Sequence, residues 1–408
     1  MFEKIVTMND LQPVHLDLFD HQVSGHHLML QYDDTTLCKS LTPREHRFYE
    51  NLPHELKQFV PEYRGVIEVQ IEEDSEGYIT LIGRPQELCD TLMNNSRQSH
   101  DPTDTGSAAS NGGDTDTVAA SKTNVIRLLR NGNIEVNSKK DDVSWHDKSG
   151  INPWSLKCHK ENLSKLSRVG QDMNKCKFIL LENVVAQFKN PCVLDLKMGT
   201  RQHGDDASPQ KKDLQVKKCA ATTSKCLGMR LGGMQVYQPK TGTYITHDKY
   251  YGRSLNTEGF QQALYQFLHN GFELRSSLIE PIIQRLVKLS HIIQQQDTFR
   301  FYSSSLLILY DGAYRTADHH AGEASANSRP HTVHDDEVAT GDKDKENGDC
   351  MDKTEDKLDV RMIDFSHATF DGFDDDLIHT GPHSGYLFGL DNLIRMFRAL
   401  QADCSRGL

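Results

Sequence analysis

The stretch PCVLDLKMGTRQHGDDASPQKK, residues 191–212, opens as an apolar strand and closes as a polar, basic run. Two charges, Asp195 and Lys197, stand two positions apart inside its apolar part. Side chains of an extended chain alternate between faces, so Val193, Asp195 and Lys197 point one way while Leu194, Leu196 and Met198 point the other. A carboxylate and an ammonium therefore share one surface. The pair reads either as a salt bridge on a half-exposed strand, worth little, or as charges set into a site.

A chain of 408 residues can bury a substantial core, and its length suggests two or three domains or one domain with insertions. Its nine cysteines are scattered without C-x-x-C pairs, and the opening MFEKIVTMND has no apolar leader. The expectation is a reduced cytoplasmic or nuclear compartment and no cysteine-rich zinc site. Apolar runs such as LLILY, residues 306–310, are too short to cross a bilayer, so a soluble protein is expected. The net charge of −12 weighs against general nucleic-acid binding, but its distribution says more. Residues 191–230 carry eight Lys or Arg against four Asp, whereas residues 313–358 carry twelve Asp or Glu against six Lys or Arg. A basic island on an acidic chain suits a compact polyanion, with a solvated helix face as the plain alternative.

Two stretches read as disordered insertions. Residues 92–123 are rich in Ser, Thr, Asp, Asn and Gly, and the acidic residues 313–358 are similarly poor in large apolar side chains; neither can offset its ordering entropy. In the segment before the first of them, roughly 20–90, HHLMLQYD, GVIEVQIEED and YITLIG are candidate strands, and a short helix over 44–51 follows Pro43. KFILLENVV, residues 177–185, is a buried strand that breaks at Glu182 and Asn183. TEGFQQALYQFLHNG has helical spacing from a cap at Thr257 to a stop at Gly271. Helices are also expected over PIIQRLVKLSHII and over GLDNLIRMFRAL near the C-terminus. Ser208 followed by Pro209 predicts a helix start, after which Lys211, Lys218 and Lys225 recur at heptad spacing, the third beyond a Thr-Thr-Ser run that weakens the helix.

FYSSSLLILYDG, residues 301–312, and DVRMIDFSH, residues 359–367, both read as buried strands with the acidic insertion between them. As an antiparallel hairpin they put the insertion at the tip and bring Ser305 and Asp364 together at the other end, about five residues of ~3.3 Å away. Ser303 competes with Ser305, because alternation keeps both on one face. An Asp-Phe pair ending a buried strand is also how protein kinases place a magnesium-binding aspartate, although Ser366 replaces the usual glycine. No Walker loop, G-x-G-x-x-G loop, HRD catalytic loop or H-E-x-x-H zinc spacing occurs, so an ordinary protein kinase is not expected.

PCVLDLKMG with the P-x-x-x-D-x-K-x-G pattern, TRQHGDDAS, SSSLL, RMIDFSH and GYLFGLDNLI, supported by INPW, LLENVV, MQVYQ and DKYYGR, resemble the inositol polyphosphate kinases, and most closely the inositol hexakisphosphate kinases. The resemblance covers most of the chain outside the two insertions. It implies an α+β, two-lobed, protein-kinase-like fold, with an N-terminal lobe over 1–185 and a C-terminal catalytic lobe over 186–408. It also implies transfer from ATP, with Mg2+, to inositol hexakisphosphate and inositol pentakisphosphate. Carried over residue by residue, Lys39 contacts ATP phosphates, Glu182 and Val184 meet adenine through the backbone, and Asp364 binds magnesium with Ser305 as companion. Lys197 holds phosphate charge and Asp195 borders acceptor and nucleotide. Arg201, His203, Lys211 and Lys218 are candidate acceptor contacts; turn or helix-face solvation is the alternative for each. A phosphate acceptor is already anionic near neutral pH, so Asp195 reads as an orienting group rather than an obligatory base. A hydroxyl kinase acting on lower inositol phosphates, or a non-catalytic scaffold whose acidic insertion binds proteins, are the competing readings. No membrane or nucleic-acid partner is expected.

Overall fold

The computed structural model describes residues 13–73, 75, 78–85, 126–129, 134–136, 152–168, 176–313, 357–373 and 377–406. The insertion expected at 92–123, and all but the ends of the one at 313–358, lie outside these residues. Among the described residues two antiparallel sheets dominate. The first contains β1 (Val14–His15), β2 (Asp17–Leu18), β3 (Met29–Asp33), β4 (Thr36–Ser40), β5 (Tyr63–Glu73), β6 (Tyr78–Pro85), β7 (Ile126–Leu129), β8 (Ile134–Val136) and β9 (Cys176–Glu182). Its order is β2-β3-β4-β9-β5-β6-β7-β8, with β1 beside β6. The second contains β10 (Pro191–Met198), β11 (Met229–Gln238), β12 (Thr243–His247), β13 (Ser305–Asp311) and β14 (Leu358–Ile363), in the order β12-β11-β10-β13-β14. Residues 183–190 connect the sheets.

The helices are α1 (Pro43–Glu50), α2 (Pro153–Arg168), α3 (Pro209–Ala220), α4 (Ser224–Leu227), α5 (Lys249–Ser254), α6 (Thr257–Leu268), α7 (Ile279–Gln294) and α8 (Ser384–Ser405). Together they make the chain a mixed α+β protein. The expected cap of α6 moves by one residue: Asn256 Oδ1, not the Thr257 hydroxyl, accepts from Gly259 N at 2.8 Å. Ser208 caps α3 as its sequence predicts, accepting from Lys211 N at 3.3 Å. Lys225 falls in α4, so the lysine stripe on α3 has two members.

Strand β10 lies at the centre of the second sheet and is covered on both sides. Leu194, Leu196 and Met198 join the large core built with α6, α7 and α8, and Val193 packs on the opposite face with Val184, Val185 and Leu309. The alternation read from the sequence therefore holds, but the half-exposed strand does not: Asp195 is 2% exposed. The hairpin of β13 and β14 forms with Ser305 opposite Ile363, which brings Asp364 to the same end as Ser305.

Helix α5 sits so close to β11 that a Cβ on Gly252 would fall 2.1 Å from the Leu231 carbonyl oxygen, a backbone atom that cannot swing aside. That contact sets the position of Lys249 and Arg253. Gly252→Ala is expected to lower unfolding stability by about 1–3 kcal/mol, measured by urea titration; an unchanged midpoint would mean that α5 is free to lift away.

Candidate active site

Lys39 on β4 and Lys197 on β10 converge on one carboxylate. Lys39 Nζ donates to Asp364 Oδ1 at 2.6 Å and Lys197 Nζ to Asp364 Oδ2 at 2.7 Å. Lys39 also donates to Glu45 Oε1 at 2.8 Å, and Glu45, buried on α1, accepts from Phe365 N at 3.1 Å. Phe48, one turn along α1, stacks on Phe365 with ring centroids 4.1 Å apart. Although burial opposes it, the Lys197 and Lys39 ammoniums hold the Asp364 carboxyl well below the usual carboxylate range. Asp364 and Ser303 are the two non-glycine residues with positive φ among those described, at 67° and 62°. Both conformations are costly for ordinary side chains and are retained where surrounding contacts fix them.

Asp364 stands where two halves of one cleft meet. The apolar half, about 840 Å³, runs from Asp364 past Leu37, Val193 and Leu307 to Glu182 and Val184. Asp195 lines this half, its carboxyl pushed up by burial despite Lys197 and the hydrogen bond that Ser24 Oγ donates to Oδ2. Among the described residues its other oxygen, Oδ1, is buried with no direct hydrogen bond, although the Ser305 hydroxyl also draws the carboxyl's pKa down. Glu182 takes two hydrogen bonds from Arg361, at 3.0 and 3.2 Å, and its N–H donates to Glu62 O at 2.9 Å, so its side chain and amide are committed where it lines the cleft end.

The second half, about 930 Å³, is polar, and Lys197, Lys218, Arg230, Lys249 and Arg253 line it with Asp364 as the one carboxylate. Among the described residues Lys218, Arg230, Lys249 and Arg253 form no ion pair. Burial, together with repulsion from Arg253, pushes the Lys218 and Lys249 ammoniums down from their ordinary values. Such a crowd of cations is stabilised by an anion carrying several charges.

Other sequence candidates fall elsewhere. Arg201 pairs with Asp205 and lies over the Tyr302 ring at 4.0 Å, and His203 is buried beside it; both line a separate hollow behind α3. Lys211 reaches His367 Nε2 at 3.2 Å at the rim. Ser305 is fully buried, its hydroxyl acting on the Asp195 carboxyl, and lines neither half, whereas Ser303 lines the basic one. Sequence reasoning missed Glu45, Ser24, Arg230, Lys249 and Arg253. Three of these left a trace: Glu45 shares a helical face with Phe48 and Tyr49, and Lys249 and Arg253 stand four apart on a helix capped by Asp248.

Residues 178–398 match the family model described as inositol polyphosphate kinase. The chain is 43% identical to inositol hexakisphosphate kinase 1 of Homo sapiens over 95% of this chain and 94% of that one. To inositol hexakisphosphate kinase 3 of Homo sapiens it is 40% identical, over 95% and 96% respectively. A crystal structure of the inositol phosphate multikinase of S. cerevisiae with ADP and Mn2+ is similar at 21% identity and a TM-score of 0.42, covering 55% of this chain and 84% of that one.

His21, on the wall of the apolar half, accepts from Gln235 Nε2 through Nδ1 at 3.1 Å, and burial pushes its pKa down to about 4. A histidine kept neutral in the fold contributes stability above its unfolded pKa, near 6.5, that is lost as pH falls from there toward 4. Asp20, raised to about 6 by burial and by Asp17, acts in the opposite sense but is common to both proteins compared. Between pH 7 and 5 the wild type is expected to lose about 1–2 kcal/mol more than His21→Gln, by urea titration at each pH; equal losses would place His21 in solvent.

Proposed function

The chain belongs to the inositol polyphosphate kinase family, and we propose that within it this protein transfers the γ-phosphoryl group of ATP to inositol hexakisphosphate, and to inositol pentakisphosphate, forming diphosphoinositol polyphosphates. The observation that carries this reading is the two-part cleft. An apolar slot suits a purine and a cationic hollow suits a ring of phosphates, and the two touch at Asp364.

In this reading the backbone at Glu182 and Val184 meets the adenine, and Asp195 Oδ1 accepts from a nucleotide hydroxyl. Lys39 neutralises nucleotide phosphate. Lys197 is placed to follow the phosphoryl group, since it lines the acceptor side while touching Asp364. Lys218, Arg230, Lys249 and Arg253 hold the acceptor's phosphates, and Lys211 adds charge at the rim. Arg201 and His203 shape the loop behind α3 rather than the cleft.

The residues fit a hard divalent cation held jointly with nucleotide. Asp364 offers two carboxylate oxygens, about a fifth exposed at the junction, and Mg2+ takes one or two carboxylates while keeping waters and phosphate oxygens. Among the described residues no three His, Cys, Asp or Glu side chains converge on a metal site. When bound, Mg2+ would neutralise charge between the β- and γ-phosphates. Asp364 would hold it, exchanging its lysine contacts for metal contacts, and Ser305 supports the strand end from behind. The acceptor phosphate is anionic at neutral pH and needs no strong base, so positioning and charge neutralisation carry most of the rate.

Incubation with radiolabelled ATP and a panel of inositol phosphates tests the reading. Label on the hexakisphosphate is the expected result; label confined to phosphates that retain free hydroxyls would replace it with a hydroxyl kinase. Asp364→Asn is expected to lower kcat about 100-fold or more while the protein stays folded; near-normal turnover at saturating magnesium would remove Asp364 from the chemistry. Lys218→Glu with Arg253→Glu should raise KM for the hexakisphosphate about tenfold, flatten its rise with salt and leave KM for ATP nearly unchanged. Equal salt dependence in the two proteins would take these cations out of the acceptor site.

A further inference from the structure

Residues 19–27 form a loop between β2 and β3 that lines both halves of the cleft. Val23 and Ser24 face the apolar half, Ser24 and His26 the basic half, and Gly25 and His27 border both. Phe19 and Val23 anchor this segment in the apolar cluster with Val184 and Val185, but the polar stretch SGHH, residues 24–27, which borders both halves, has to be held from outside.

The inner hold is β11. A Cβ on Gly233 would fall 1.9 Å from the Val23 carbonyl oxygen, so the loop backbone lies directly on the strand backbone at a place only glycine allows. The outer hold is α2. Asn152 caps this helix, accepting from Trp154 N at 2.9 Å, and its own N donates to Asp20 O at 2.9 Å. From there the helix donates side-chain hydrogen bonds to successive loop carbonyls. Ser155 Oγ and His159 Nε2 reach Phe19 O, Trp154 Nε1 reaches Gly25 O at 3.2 Å, and Asn162 Nδ2 reaches His26 O at 2.9 Å. Ser155 and His159 are almost completely buried, where an unmatched donor or acceptor is costly. Gln235 of β11 ties the two holds together, accepting from Asn152 Nδ2 at 2.9 Å while donating to His21 Nδ1 at 3.1 Å.

We propose that α2 is a clamp: Trp154, Ser155, His159 and Asn162 are positioning residues that keep the 19–27 loop closed over nucleotide and acceptor together. Their spacing explains the arrangement, since 155, 159 and 162 lie on one helical face and 154 adjoins it. The clamp also reaches the acceptor cations. Trp154 supports Lys249, whose Nζ lies 4.7 Å from the ring centroid, and Lys249 Nζ donates to His26 Nε2 at 2.8 Å. Opening the loop would release Ser24 from Asp195 on one side and His26 from Lys249 on the other. Both substrates therefore lose grip at once.

The test rests on the kinase reading for its kinetics but not for its structural arm. Trp154→Phe keeps the ring under Lys249 and removes the donor to Gly25; Asn162→Ala, nearer the surface, removes the donor to His26. Amide hydrogen exchange on the unliganded proteins is expected to quicken in residues 20–27 in each variant and most in the double variant, with β10 and β11 unchanged. KM for ATP and KM for inositol hexakisphosphate should rise together, by about three- to tenfold in the double variant, as expected for one or two neutral hydrogen bonds. Unchanged loop exchange, exchange that quickens equally in β10 and β11, or a rise in one KM alone would each overturn the clamp. A wild type that labels no inositol phosphate would strike the proposed function instead, leaving loop exchange to decide the clamp.

Discussion

Four charges that meet at one point, buried Glu45 and Lys39 and partly buried Asp364 and Lys197, join this molecule's two sheets. Two ammoniums against two carboxylates make the group neutral, and each member comes from a different element: α1, β4, the end of β14, and β10. Taking charges out of water is expensive, and the cost is offset only when every member is matched. Removing one partner from such a set costs about 3–5 kcal/mol, because it strands the others. The set therefore links the first sheet to the second where Lys39 meets Asp364. The Phe48–Phe365 stack beside it adds apolar contact at the same junction.

The same junction shapes the cleft. Because Asp364 is reached from both sheets, the apolar hollow beneath β4 and the cationic hollow beside α3 and α5 must open onto one carboxylate. The left-handed backbone at Ser303 and at Asp364 is where the two strand ends turn to make that meeting. Strain at these residues is carried by the hydrogen bonds around them, among them Lys197 Nζ donating to Ser303 O at 3.1 Å. Specificity for a many-phosphate acceptor then comes from charge number rather than from a fitted surface, with α5 fixed by the Gly252 contact and the loop over it fixed by α2.

Much of this was legible in the chain because it depends on local rules. The period-2 pattern of VLDLKM gave the faces of β10, the hairpin followed from two apolar runs flanking an acidic insertion, and Ser208-Pro209 marked the start of α3. What stayed hidden depends on contacts between distant positions. Glu45 accepts from Phe365 N across 320 residues and shares Lys39 with Asp364, and its role is invisible until α1 docks. Arg201 and His203 sit in a promising basic run, but Gly199 and the turn after it carry them behind α3, where Asp205 and Tyr302 take up Arg201. The cations that line the basic half come from four separate segments, β10, α3, β11 and α5, which no spacing rule connects. Asp195 was read as bordering both substrates; in the fold it lines the apolar half while Lys197, two residues on, lines the basic one.

The central proposal is that Asp364 would hold a divalent cation together with nucleotide at the junction of the two halves. Electron paramagnetic resonance of Mn2+ titrated into the protein with and without ADP tests it directly. The account predicts an ADP-dependent bound Mn2+ signal in the wild type that is lost in Asp364→Asn, although that variant remains folded. A variant that holds Mn2+ with ADP as tightly as the wild type would contradict it.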